Sequence, residues 1–190
     1  MNRVRSKDSP KYFSGENIFI IVMSDSRQEK IDAVLEAEYE VCKEQPFTHR
    51  ISYHNTLDRI TDVIDVDRQE AANVKQRFKD LYLRRYSNKS YQLNWDAFQR
   101  LSELRDDIPV SDELQDDIFD ALSEEYKDNP ASPSVSREDL HDSIDASELA
   151  IDLNLYLLDL RGYVTVDQQT GIGNRGYVRT RISDRAKSKI

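Results

Sequence analysis

Apolar residues recur at helical spacing along most of the chain, with short strand-like stretches between the helical runs. In the first half, Ile31, Val34, Leu35, Val41 and Cys42 mark one face of a helix over 27–45, which Pro46 ends. Leu57, Ile60, Val63 and Ile64 predict a second, short helix. A third is expected over 68–83, with Ala71, Val74, Phe78 and Leu81 inward. Asp67 is suited to cap its first turn, and Glu70 stands at the capping-box position. Residues 82–86 and 90–95 read as two strands about Ser87, Asn88 and Lys89, and Phe98, Leu101 and Leu104 predict a closing helix.

The second half repeats this order. Leu114, Ile118, Leu122 and Tyr126 mark a first helix, and residues 128–134 form a turn-rich loop. Ser136, with Asp139 three residues on, caps a short helix that turns Leu140 and Ile144 inward. A longer helix follows Asp145 and ends near Leu160, where Gly162 takes the position after the C-cap. Residues 163–166 and 177–182 read as a hairpin, and 183–187 as the start of a short helix. The repeat is about 80 residues long, which means two tandem domains rather than a solenoid.

Helix, helix, longer helix and hairpin is the order of a winged helix-turn-helix. Residues 157–164 resemble the end of a recognition helix entering a wing. Residues 179–186 resemble the wing's second strand followed by the usual T-x-x-G helix start, with Ser183 in place of Thr and Ala186 in place of Gly. Residues 91–98 resemble the same joint in the first half. The resemblance is to tandem winged helix-turn-helix proteins of the prokaryotic, archaeal type of transcription regulator. It implies a mainly α fold with small β-hairpin wings (α+β): winged-helix domains over 27–105 and 110–190, joined by 106–109. It also implies DNA binding as the commonest role and protein interaction as another.

Charge changes the picture by its placement. The net charge is −9, yet residues 68–102 carry eight basic and three acidic side chains, and residues 161–190 seven and two. Between them, residues 103–160 hold eighteen acids and three bases. A nucleic-acid binder shows a basic patch rather than a basic total. On the third helix of the first half, Gln69, Asn73 and Gln76 lie opposite the apolar face, with Arg77 to one side. These residue types bond base edges. Lys75, Lys79, Arg84, Arg85 and Lys89 flank that strip or continue into the first wing, where they are placed for phosphates. Arg175, Arg179 and Arg181 give the second wing the same character. One acid, Asp80, opposes this reading. The long helix of the second half differs: Ile151, Leu155 and Leu158 form one apolar stripe and Leu149, Leu153, Tyr156, Leu157 and Leu160 another. Glu148, Asp152 and Asp159 stand between them. Such a helix is buried on both sides and is expected at an interface, against the first half or a second chain.

The sequence therefore predicts a cytoplasmic, homodimeric regulator on double-stranded DNA, and not an enzyme. The competing expectation is a winged-helix module for protein interaction or dimerisation that binds no DNA. Arginine (17) outnumbers lysine (10), a balance that in an acid-rich chain suits a high-salt cytoplasm. No cofactor, metal, membrane or small-molecule ligand is expected. Gly171, Gly173 and Gly176 match G-x-G-x-x-G, but a strand follows where the dinucleotide fingerprint needs a helix, so a flexible wing tip accounts for them. Three histidines and one cysteine offer no metal-ligand spacing, and Cys42 shares the apolar face of its helix. Residues 1–26 are expected to be a disordered arm or an upstream-start extension. The apolar run 18–23 is too short for a secretory signal, and Met23 precedes a polar, helix-starting stretch.

Overall fold

The structure, a computed structural model, describes residues 15–44, 46, 47, 49–52, 56–168 and 177–189. It holds two units of the same plan. In the first, α1 (Gly15–Cys42) leads to β1 (Ile51–Ser52), α2 (Thr56–Val63), α3 (Arg68–Tyr82), β2 (Leu83–Arg85), β3 (Ser90–Leu93) and α4 (Trp95–Leu104). In the second, α5 (Asp112–Asp128) leads to β4 (Val135–Ser136), α6 (Arg137–Ser143), α7 (Glu148–Leu160), β5 (Val164–Gln168) and β6 (Tyr177–Ile182), with a 3-10 turn at Lys187–Lys189. Each unit has a three-stranded antiparallel sheet, ordered β1-β3-β2 and β4-β6-β5, so the short first strand and the hairpin share one ladder. The architecture is α+β and winged-helix-like in both units.

Local chemistry sets the helix ends. The Asp67 carboxylate accepts from the Glu70 amide at 2.8 Å, and Asn94 caps α4 through the Ala97 amide at 2.9 Å. Ser111, Ser136 and Ser147 cap α5, α6 and α7 in the same way. Each side-chain oxygen satisfies an amide that the first helical turn leaves open. Gly162 stands after α7 at φ +74°, a conformation that suits glycine and turns the chain into β5.

The two units share one core. Phe47, from the loop after α1, is fully buried and meets Tyr156 of α7 and Tyr177 of β6 edge-on, at 5.6 and 5.0 Å between ring centroids. Tyr156 also packs on Phe98 of α4 and donates its hydroxyl to the Leu93 carbonyl at 3.1 Å. α7 is buried continuously from Ala150 to Leu158. Arg84 and Gln92 are cross-strand partners and so share one face of the first sheet; Gln92 is buried there, and Arg84 reaches Asp159 of α7. α7 thus meets the first sheet at Arg84 and at the Leu93 carbonyl.

Several elements differ from the sequence reading. α1 begins at Gly15 rather than 27, because no residue between Gly15 and Pro46 breaks a helix. Val41 is exposed, while Glu38, seven residues after Ile31 and so on the same face, is buried beside His49. Val63 and Leu149 are exposed at helix ends. Tyr82, four residues after Phe78, closes the apolar face of α3, while Leu81 is half-buried. Trp95 opens α4 rather than ending a strand. The strands β1 and β4 have no counterpart in the sequence reading; each is two residues long and ordered by the central strand beside it.

Candidate nucleic-acid interface

α3 and α7 are the third helices of the two units, and they present different surfaces. On α3, Ala71, Val74 and Phe78 anchor the helix to the core, which turns Gln69, Asn73, Gln76, Arg77 and Asp80 outward, all exposed. Gln76 Nε2 lies 2.9 Å from both oxygens of Asp80 one turn later, so that amide and carboxylate hold each other. Lys75 and Lys79 are half-buried on the flank, with Lys79 Nζ 5.8 Å from the Tyr91 ring centroid. In the first wing, Arg85 donates to the Ser87 carbonyl and to Asn88 Oδ1, which orders the turn, and Lys89 is exposed. The strip on α3 and the residues of this wing therefore belong to one unit and reach solvent.

Arg84 does not join them. It donates to Gln92 Oε1 at 3.0 Å and lies 3.7 Å from Asp159, which commits it to the seam between the units. Burial raises the Asp159 pKa above the usual aspartate value, and the Arg84 and Arg50 guanidiniums oppose that shift. In the second wing, Arg179 and Arg181 point away from the core while Tyr177, Thr180 and Ile182 are buried. Arg179 donates to Ser134 Oγ at 3.2 Å. Arg175 and the glycine-rich wing tip lie outside the described residues.

Ile151, Leu155 and Leu158, the stripe assigned to an interface, are buried inside the chain, with Leu158 lining a concavity together with Gln115 and Phe119 of α5. The polar residues of α7 have internal partners. Asn154 accepts from the Ser111 amide and donates to the Pro109 carbonyl, which ties the linker to the helix. Asp152 accepts from Arg137 and faces His141 Nε2, both at 2.8 Å. That network escaped the sequence reading, which placed Asp152 between the two apolar stripes and gave it no partner. His49 beside buried Glu38 escaped it too, as did the stack of Arg50 on Tyr86, 3.8 Å from guanidinium carbon to ring centroid. The signal for the last was a tyrosine among the basic residues of the wing.

Cys42 is buried, which pushes its thiol pKa up to about 12 and leaves it protonated, a packing residue rather than a nucleophile. Among the described residues, no group of three or more His, Cys, Asp or Glu side chains gathers to hold a metal, and no helix is long and apolar enough to cross a membrane. No protein-family model, curated protein or solved structure matches the chain.

Proposed function

We propose that this protein is a DNA-binding regulator that reads base edges with α3 alone. The observation that carries the reading is the outward strip Gln69, Asn73, Gln76 and Arg77 on the third helix of a winged-helix-like unit, beside a wing with Arg85 and Lys89. Amides and guanidinium on a helix face supply the bidentate donors and acceptors that a major groove pairs with, and the wing cations add phosphate contacts. α7 contributes no reading surface, because its polar side chains are paired within the chain. A two-fold operator therefore takes two chains, and the cytoplasmic homodimer in this reading uses a surface other than Ile151, Leu155 and Leu158. Arg179 and Arg181 supply further phosphate contacts from the second wing.

Titrating duplex DNA against salt tests the reading. The logarithm of affinity should fall linearly with the logarithm of salt concentration, with a slope of about 0.9 per phosphate contacted. Arg77→Ala should weaken binding by about 1–3 kcal/mol and relax sequence preference, while Lys89→Ala should weaken all sequences alike. Absence of binding at low salt would remove the proposal. The acidic stretch 103–160 and Asp80 on the reading strip favour the second reading, a protein-interaction module without DNA, which that same result would support.

A further inference from the structure

A groove runs beside α5, its larger part within the second unit and its smaller part where α4 approaches the start of α5. Two concavities, of ≈460 and ≈360 Å³, share Asp112 in their walls. The larger has an apolar side of Leu158, Phe119 and Tyr163, the two rings meeting edge-on with centroids 6.4 Å apart, and a polar side of Gln115, Asp116 and Arg161; the smaller sets Trp95 and Val110 against Gln99, Ser102 and Glu103. Arg161 stands between them. Its guanidinium is 5.0 Å from the ring centroids of both Trp95 and Tyr163, and it donates to Gln115 Oε1 at 3.1 Å. The cation of the groove is therefore already held by the chain. Asp112 and Asp116 sit one turn apart on the rim, both exposed, and neither joins an ion pair among the described residues. They belong to the stretch 103–160, with its eighteen acids against three bases.

We propose that this groove docks a basic, amphipathic segment of a partner protein. Apolar side chains of that segment enter the two concavities, and a lysine or arginine beside them meets Asp112 and Asp116. Charge complementarity selects this occupant. The aromatic walls reward apolar burial, and the surrounding field attracts a cationic chain and repels nucleic acid and acidic peptides. The inference is independent of what α3 reads, so neither proposal stands or falls with the other.

The test uses the full chain and fluorescence anisotropy with a labelled peptide whose leucines and lysines lie on opposite faces of a helix. An oligolysine of equal charge is the comparison. The amphipathic peptide should bind at least about tenfold more tightly, the effect of burying one leucine. The double variant Asp112→Asn/Asp116→Asn should weaken it by about threefold to fivefold, the range of exposed ion pairs. Asp117→Asn/Asp120→Asn removes the same charge from the other flank of α5 and should have less than half that effect on the logarithmic scale. Equal losses from the two double variants would reduce the binding to general attraction and overturn the proposal. So would equal binding of the two peptides, or no binding at low salt. Sedimentation of the chain alone is the remaining check: a dimer that the Asp112/Asp116 variant dissociates would give the groove to a second copy instead.

Discussion

α3 and α7 hold the same place in two units of one plan, and their surroundings are opposite. α3 buries one face and leaves its amides and Arg77 in water. α7 is enclosed from Ala150 to Leu158, and its polar residues Asp152 and Asn154 are bonded inside the chain. The difference follows from composition. Each polar group that enters a core must find a partner or carry its desolvation cost. Asp152 has Arg137 and His141, and Asn154 has the backbone of Pro109 and Ser111. Among the described residues, the strip on α3 has no such set of partners, apart from the Gln76–Asp80 pair on its own helix, and so it stays on the surface. In a tandem fold, one third helix can thus serve as the joint between units while the other remains open to a ligand.

The comparison breaks most severely at Tyr156. Tyr156→Ala removes the ring that meets Phe47 and Phe98 and the bond to Leu93, and should cost about 3–5 kcal/mol of folding stability in urea denaturation. On α3, Asn73→Ala should change stability by no more than about 0.5 kcal/mol. Second in size is Asp152→Ala, which takes the buried carboxylate from Arg137 and His141 and leaves them only the exposed Glu148. Breaking a buried pair costs about 3–5 kcal/mol, and the partial exposure of Arg137 lowers the expectation to about 2–3 kcal/mol. If Tyr156→Ala is as stable as the α3 variant, the seam is not what holds the units together; Asp152→Ala, whose partners lie on α6, reports on packing within the second unit.

Much of this contrast is legible in the sequence, and the part that is not has a physical cause. The two apolar stripes of α7, one on Ile151, Leu155 and Leu158 and the other on Leu153, Tyr156 and Leu157, are what a helix enclosed by its neighbours must carry. The cap at Asp67 and the stop at Gly162 are local, and local chemistry survives folding. β1 and β4 are not legible, because two residues carry no period and their order comes from β3 and β6. Nor is the seam, since Tyr156 meets Leu93 across 63 positions of sequence and nothing in either segment encodes the other. In the candidate site, the residue types on α3 were readable from a helical wheel. The direction of Arg84 was not, because which face of a short strand is covered depends on the unit packed against it.

α3 itself should depend on its cap. Asp67→Ala removes the acceptor for the Glu70 amide and should cost about 1 kcal/mol, with fraying of the first turn that places Gln69. Amide exchange at 68–72 should rise in that variant while exchange in α7 stays unchanged, because the cap acts only on its own helix.

The smallest effect sharpens the seam rather than breaking it. Asp159 is partly buried under the first sheet, and burial raises its pKa despite the Arg84 and Arg50 guanidiniums nearby. A carboxyl group whose pKa is higher folded than unfolded binds its proton more tightly in the native state. Its contribution is therefore fully present below the unfolded value and is lost as pH rises through the folded one. Asp159→Asn keeps the shape and removes the titration. Stability measured against pH just above the ordinary carboxylate range should fall less steeply in the variant than in the native chain. Arg84 retains Gln92 as an acceptor, so the variant should fold at neutral pH with little or no loss. The exposed acids Glu40 and Asp107 have pKa values lowered by Lys43 and Arg105 respectively, and they act with the opposite sign in both proteins. The difference between the two curves therefore isolates the seam. A steeper curve for Asp159→Asn would mean that the Arg84 ion pair, and not burial, governs this carboxylate.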